Sequence, residues 1–333
     1  MIRDLGQPVS ALHLCEDHAL IAGGWDGELR KWNAEGDLLW SATCEDRIEA
    51  ILPIGDRIVV TTGLHVSCLE NGEILWSHAL EGSADMLAEH EGTVIATSSV
   101  YDIEHGDFME SAIWKFSIDG EELSVDRMDE RPWFVHSNGS LIIGLGRPRC
   151  GLFVDGSHQE LASDSPVTCG LSGRSRILFG HADGTVSTDS ADKVSTFNAG
   201  VESLVCTEQG FVAALENGDL KSLSPDGELI WESSGSQITC QTDGFSETHW
   251  CGRNQAITGV VEVRSATGEI IAQLNTARPR IATSDIERVV FGFEDGQILL
   301  WEKDLFQRRI DTAETEENEH RNSLAAKLRS LRK

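Results

Sequence analysis

Arginine and aromatic side chains recur in segments that turn signals mark as loops. Arginine with aromatic neighbours is a composition favoured at the centre of protein interfaces. The sequence therefore predicts a protein-binding surface, with solvated loop ends paired to nearby carboxylates as the alternative. The candidate partner-binding residues in these loops are Trp25, His65, Tyr101, His105, Arg131, Arg147, Arg149 and Arg253.

One predicted hairpin, Val100–Ser111, concentrates charge around the only tyrosine of the chain. Its sequence, VYDIEHGDFMES, contains carboxylates and a histidine, which are ligands for divalent metal ions. The spacing fits no calcium-binding loop, and no second histidine lies close in sequence. We therefore predict no metal site here, but a charged hairpin that is either solvated or in contact with a partner.

Side chains suited to catalysis show no catalytic spacing. The eight cysteines contain no CxxC pair, so we interpret them as small buried hydrophobes that suit a reducing compartment. No G-x-S-x-G motif is present. The sequence thus predicts a non-enzymatic protein with no cofactor and no metal. The alternative is a small-molecule-binding or enzymatic protein.

The last thirteen residues, 321–333, carry five cations and a regular leucine spacing. Leu324, Leu328 and Leu331 fall on one stripe of a helix, with Arg329 beside them. This pattern predicts a basic amphipathic helix that recognises a partner protein, after an acidic linker at residues 312–320. A frayed tail, or a helix lying on the acidic body of the protein, remains the alternative.

The elements that must position these residues come from an internal repeat. Val9–Trp40 and Val201–Trp231 both read as short apolar strands separated by glycine turns, and the unit recurs eight times. A period of roughly 35–40 residues with about four strands per unit is typical of a β-propeller. The sequence predicts an all-β propeller over residues 1–311, with eight four-stranded blades or, alternatively, seven.

Three runs carry a family resemblance. Asp226–Trp231 (DGELIW) resembles the quinoprotein-like (PQQ-type) repeat, and Gly23–Asn33 (GGWDGELRKWN) and Gly292–Glu302 (GFEDGQILLWE) are similar to the WD repeat. The resemblance covers roughly residues 9–310 and implies the propeller fold, which hosts many unrelated functions. The enzymatic alternative that it implies is a PQQ-like enzyme or a calcium-dependent hydrolase acting at the mouth of the central channel. PQQ-dependent dehydrogenases are generally longer, and the adjacent cysteines that many of them carry are absent here.

Closure of the ring has two candidate strands. Ile2–Leu5 would add an outer strand to the last blade, and Leu305–Ile310 competes for the same place.

The net charge of −28 predicts a soluble protein that repels nucleic acid and anionic membranes. The first residues do not have the pattern of a secretory signal, and no apolar run is long enough for a membrane span. We therefore expect a cytoplasmic, monomeric propeller whose partner is another protein.

Overall fold

The computed structural model describes residues 1–174 and 176–310. The described chain forms 32 strands arranged in eight four-stranded antiparallel sheets, followed by one short helix, α1 (residues 303–310). Each sheet is one predicted repeat unit, so the prediction of eight blades is confirmed over the alternative of seven. The predicted linker and C-terminal helix, residues 312–333, lie outside the described residues.

Strands are numbered along the chain, and each of blades 1 to 7 uses four consecutive strands, with the first innermost. β1 (Ile2–Asp4) precedes blade 1. Blades 1 and 2 consist of β2 (Val9–Leu14), β3 (Leu20–Gly24), β4 (Glu28–Trp32) and β5 (Leu38–Thr43), then β6 (Ile48–Ile54), β7 (Arg57–Thr62), β8 (His65–Glu70) and β9 (Glu73–Ala79). Blades 3 and 4 consist of β10 (Ser83–His90), β11 (Thr93–Asp102), β12 (Asp107–Ser117) and β13 (Glu122–Met128), then β14 (Pro132–Asn138), β15 (Ser140–Leu145), β16 (Gly151–Val154) and β17 (Ser157–Gln159).

The second half of the ring follows the same order. Blades 5 and 6 consist of β18 (Val167–Ser172), β19 (Ile177–His181), β20 (Thr185–Thr188) and β21 (Lys193–Thr196), then β22 (Val201–Thr207), β23 (Gly210–Leu215), β24 (Leu220–Leu223) and β25 (Leu229–Ser233). Blade 7 consists of β26 (Ile238–Asp243), β27 (His249–Gln255), β28 (Thr258–Arg264) and β29 (Ile270–Thr276). Blade 8 has the order β30 (Pro279–Ser284), β31 (Arg288–Phe293), β32 (Gln297–Glu302) and β1.

The ring is closed at its axis and at its rim. The innermost strands of successive blades contact one another all the way round, and β30 of blade 8 contacts β2 of blade 1. At the rim, the N-terminal strand β1 pairs with β32, so the first and last parts of the chain share one sheet. Of the two predicted closing strands, Ile2–Leu5 is therefore the one that the protein uses.

For the other candidate the prediction of a closing strand is wrong, because Leu305–Ile310 belong to the helix α1. Phe306 and Ile310 are four positions apart and pack into the aromatic cluster of blades 7 and 8. Phe306 is buried 5.0 Å from the ring of Trp250 and 5.4 Å from that of Phe245. Because β1 already occupies the edge beside β32, a strand at Leu305–Ile310 could not take that place. As a helix, the segment packs Phe306 and Ile310 against blades 7 and 8 instead.

Glycines in the second strands let neighbouring blades approach closely. A Cβ on Gly23 would lie 2.6 Å from Ile48 of the next blade, and one on Gly292 would lie 2.4 Å from Val9. Gly144, Gly180 and Gly252 make equivalent approaches in blades 4, 5 and 7. Apolar side chains from the first strand of each following blade fill these spaces, which makes the core continuous around the ring.

Large aromatic rings fill the wider spaces between blades. Trp76 of blade 2 lies 6.0 Å from Phe116 of blade 3, and its Nε1 donates a 3.0 Å hydrogen bond to the Ile118 carbonyl. Trp301 of blade 8 lies 5.1 Å from Trp250 of blade 7. The rigid body that results fixes the position of every loop.

Candidate interaction face

One end of the ring is built from two kinds of connection. In each blade the first strand starts at this end, and the chain returns to it between the second and third strands. We call it the loop face: the segments that enter each innermost strand, together with the turns between second and third strands. The turn glycines Gly27, Gly184, Gly218 and Gly296 have φ between 84° and 90°, a conformation that glycine adopts without strain.

Exposed apolar side chains gather on this face. Among the described residues, seven large ones belong to it: Trp25, Leu64, Tyr101, Ile103, Met109, Trp133 and Ile257. The opposite face carries Ile286 and Leu305, and most of the others lie on the outermost strands. Turn tips are normally polar, and Ile103 and Ile257 are 87% and 88% exposed.

Trp25 of blade 1 is the centre of one group on the loop face. The guanidinium carbon of Arg47 lies 4.6 Å from the Trp25 ring centroid, and that of Arg280 lies 4.8 Å from it. Arg47 also pairs with Glu49. Because two cations contact the ring, the indole is held in place while 39% of the residue stays exposed.

A second group joins blades 3 and 4. The ring of Phe108 lies 5.1 Å from that of Tyr101 and 6.4 Å from that of Trp133. The guanidinium carbon of Arg131 lies 3.6 Å from the Phe108 centroid and 4.1 Å from the Trp133 centroid. The predicted residues Tyr101 and Arg131 are thus brought together by two rings that the sequence did not single out.

Arg131 is anchored from below by a buried carboxylate. Its Nη2 lies 3.3 Å from Oδ1 of Asp85, whose side chain is 8% exposed. Burial raises the pKa of the Asp85 carboxyl above its ordinary value, although hydrogen bonds from Ser99 and Ser83 and the charge of Arg131 act in the opposite direction. These contacts tie the aromatic group to the innermost strand of blade 3, so its geometry is fixed by the propeller.

Four other predicted residues lie on the loop face without joining these groups. His65 Nδ1 is 3.0 Å from Glu45 Oε2, and His105 Nδ1 is 3.0 Å from Asp102 Oδ2. Hydrogen bonds from the His105 side chain and two backbone N–H groups lower the pKa of Asp102. Arg147 and Arg149 are exposed in the turn between the second and third strands of blade 4.

The prediction that Arg253 contacts a partner is wrong. The residue is 2% exposed and cannot reach a partner at the surface. Its Nε donates a 3.1 Å hydrogen bond to Oε2 of Glu262, which also accepts a 2.7 Å bond from Arg264. Its Nη1 donates to the carbonyls of Gly218 and Ser236 in the preceding blade and connection, at 2.8 and 2.6 Å. Arg253 therefore joins blades 6 and 7.

The remaining predicted contacts, Leu324, Leu328, Arg329 and Leu331, lie outside the described residues.

Neither a protein-family model nor a curated protein matches the chain. Solved structures do match, over almost their whole length. The computationally designed protein Ika8 aligns with a TM-score of 0.72 at 17% identity, covering 90% of this chain and 98% of that one.

Two natural proteins align equally widely. BamB from Moraxella catarrhalis, a PQQ-like propeller, gives a TM-score of 0.71 at 14% identity and covers 91% of this chain and 98% of that one. Sqt1 from Saccharomyces cerevisiae, a WD40 propeller, gives 0.70 at 12% identity and covers 90% and 97%. The chain is an eight-bladed β-propeller. At these sequence identities the structural similarity establishes the fold alone. One of the matching proteins is a computational design, and a single fold hosts many unrelated functions.

The propeller offers a further open space, a cleft of about 440 Å³ between blades 3 and 4. Apolar side chains of Ile113, Leu141 and Phe153 line it together with Asp126 and Asp155. The cleft exists because β16 and β17, with four and three residues, are too short to cover the longer strands of blade 3. Among the described residues, no three metal-ligating side chains come together.

Several loop-face residues were missed because their chemistry is ordinary in sequence. Phe108, Trp133 and Ile257 look like alternating residues of half-buried strands, and only the structure shows where each strand leaves the sheet. A usable signal existed at Leu64, an apolar residue directly after the turn glycine Gly63. No helix in the described chain has the length and apolarity needed to cross a membrane.

Proposed function

We propose that this propeller is a non-enzymatic protein-interaction scaffold that binds a partner protein through its loop face. The observation that carries the proposal is the gathering of seven exposed apolar side chains on that face. Two of its aromatic groups are also held by arginine stacking. Rigid aromatic anchors with arginine are the residues that contribute most to protein interfaces.

The rest of the molecule supports a protein partner in preference to nucleic acid. A net charge of −28 repels phosphate backbones. We place the protein in the cytoplasm, as a monomeric propeller. The basic segment 321–333 is proposed as a second contact, which would raise the effective affinity by linking two modest sites.

Affinity capture from native lysate, with four forms of the full chain, tests this function. The double variant Trp25→Ser/Ile103→Ser should lose a partner that the wild type captures stoichiometrically. The control Leu39→Ser/Ile271→Ser removes exposed apolar side chains from the outer strands of blades 1 and 7 and should retain the partner. Leu328→Asp should weaken capture if the tail is a contact.

The reverse pattern would contradict the proposal. Capture that survives the loop-face variant but is lost in the rim variant would place the interface on the outer strands. Absence of any stoichiometric protein with the wild type would favour a small-molecule or enzymatic role at the channel mouth.

A further inference from the structure

The hairpin between the second and third strands of blade 3 extends beyond the sheet to which it belongs. The innermost strand β10 starts at Ser83, which pairs with Ser99, whereas β11 and β12 continue pairing as far as Asp102 and Asp107. Residues 100–110 therefore pair only with one another. At about 3.3 Å per residue, the three further residues of β11 carry the hairpin roughly 10 Å past the start of β10.

The projecting hairpin has an apolar surface with no partner in the described chain. Tyr101, Ile103 and Met109 are 53%, 87% and 45% exposed, and Trp133 of blade 4 beside them is 41% exposed. Phe108 lies between Tyr101 and Trp133 and joins them into one patch. We define the hairpin patch as these five residues.

The base of the patch, at Phe108 and Trp133, is held by Arg131, so that binding a segment there would cost little ordering of these side chains. Arg131 stacks on Phe108 and Trp133 and is paired with Asp85. Asp85 in turn accepts hydrogen bonds from Ser83, at 3.0 Å, and from Ser99. A preorganised surface of this kind binds more tightly than a mobile loop with the same residues.

The charges around the patch specify what it would bind. Asp102, Glu104, Asp107 and Glu110 belong to the hairpin, and its only basic group is His105. The nearby cations are already paired, since Arg131 contacts Asp85 and Arg127 contacts Glu81 at 2.6 Å. Arg147 and Arg149 follow Gly146, which lies against Trp133, so they add positive charge on the blade 4 side of the patch.

We propose that the hairpin patch binds a basic segment of the partner protein that carries aliphatic side chains. The aliphatic groups would cover the patch, and lysine or arginine would lie along the carboxylates of Glu104, Asp107 and Glu110. This assignment rests on the proposed function and names the chemistry of the partner at one part of the loop face.

A defined peptide tests the assignment with the full-length protein. The probe is a fluorescent twelve-residue peptide of alternating leucine and lysine, and its binding is followed by anisotropy. Ile103→Ser should weaken binding about tenfold, because the most exposed apolar side chain of the patch is lost. Ile286→Ser is the matched control, since Ile286 is 82% exposed in a turn on the opposite face, and should change binding less than twofold.

A second pair of variants tests the charges. Glu104→Gln/Asp107→Asn should weaken binding and reduce its salt dependence, whereas Glu121→Gln/Glu122→Gln, at exposed sites on the opposite face, should do neither. A lysine peptide of equal charge without leucine should bind more weakly than the probe and be indifferent to Ile103→Ser.

Three results would overturn the assignment. One is equal weakening by Ile103→Ser and Ile286→Ser, and another is equal binding of the two peptides. The third is a marked gain in probe affinity on Leu328→Asp, which would show that the protein's own tail occupies the patch. If these occur while the loop-face variant still loses its captured partner, the assignment fails and the proposed function stands.

Discussion

At the scale of single residues, the buried charges of blade 7 are the least expected feature. Glu262 sits between Arg253 and Arg264, all three nearly inaccessible, and His249 lies beside them at 3% exposure. Removing either kind of charge from such a group leaves the other buried without compensation. These residues therefore hold blades 6 and 7 together.

His249 gives the blade a specific pH dependence. Its Nε2 donates a 2.9 Å hydrogen bond to Oε1 of Gln241. Burial first, then the charges of Arg264 and Arg253, lower the pKa of the imidazole from 6.5 to about 3. The unfolded chain binds a proton at this imidazole more readily than the folded protein does. The contribution of His249 to the free energy of unfolding is therefore fully present above pH 6.5 and falls as the pH drops towards 3.

We expect His249→Gln to remove this loss. Between pH 6.5 and 4, the wild type should lose up to roughly 1.4 kcal/mol of unfolding free energy per pH unit relative to the variant. Urea unfolding at a series of pH values measures the difference. The control His18→Asn, at an exposed residue, should follow the wild type. Parallel curves for wild type and His249→Gln would disprove the role of this residue.

Residue placement was only partly predictable from the sequence. Trp25, Tyr101 and Arg131 lie on the loop face as their flanking turns indicate. Arg253 does not, because its burial depends on the register that brings Glu262 opposite Cys251, and a sequence does not specify register between strands that are both largely buried.

At the scale of elements, turn chemistry decided what could be predicted. Asp-Gly and Asn-Gly pairs marked the hairpins, and the repeat fixed the number of strands in each blade. The sequence could not exclude Leu305–Ile310 as the closing strand, because a short apolar run suits either a strand or a helix. The two ends of the chain compete for one edge, and pairing at that edge decides the outcome.

Closure by β1 predicts an uneven sensitivity at two residues that are three positions apart. Leu5 is 1% exposed in the cluster shared by blades 1 and 8, whereas Ile2 is 73% exposed on the rim. Leu5→Ala should lower the free energy of unfolding by about 2–5 kcal/mol, and Ile2→Ala by less than about 0.5 kcal/mol. Denaturant unfolding of both variants checks this. Equal effects would mean that the terminal strand does not seal the ring.

At the scale of the whole molecule, the propeller is a rigid ring with two unlike ends. The turns at one end present apolar side chains from blades 1, 2, 3, 4 and 7, whereas Ile286 and Leu305 lie at the other end and most of the remaining exposed apolar side chains lie on the outermost strands. The fold followed from the repeat, but this asymmetry did not, because it depends on where each hairpin ends relative to its sheet. The central claim is that the apolar end is where a partner protein binds.

Site-specific photo-crosslinking in cells tests that claim most directly. The photoreactive residue p-benzoylphenylalanine would replace Leu64 or Ile257 on the loop face, and Leu39 or Ile271 on the rim. We predict that both loop-face positions become attached to the same protein and that neither rim position does. Attachment of that protein from the rim, or no attachment from either loop-face position, would contradict the account.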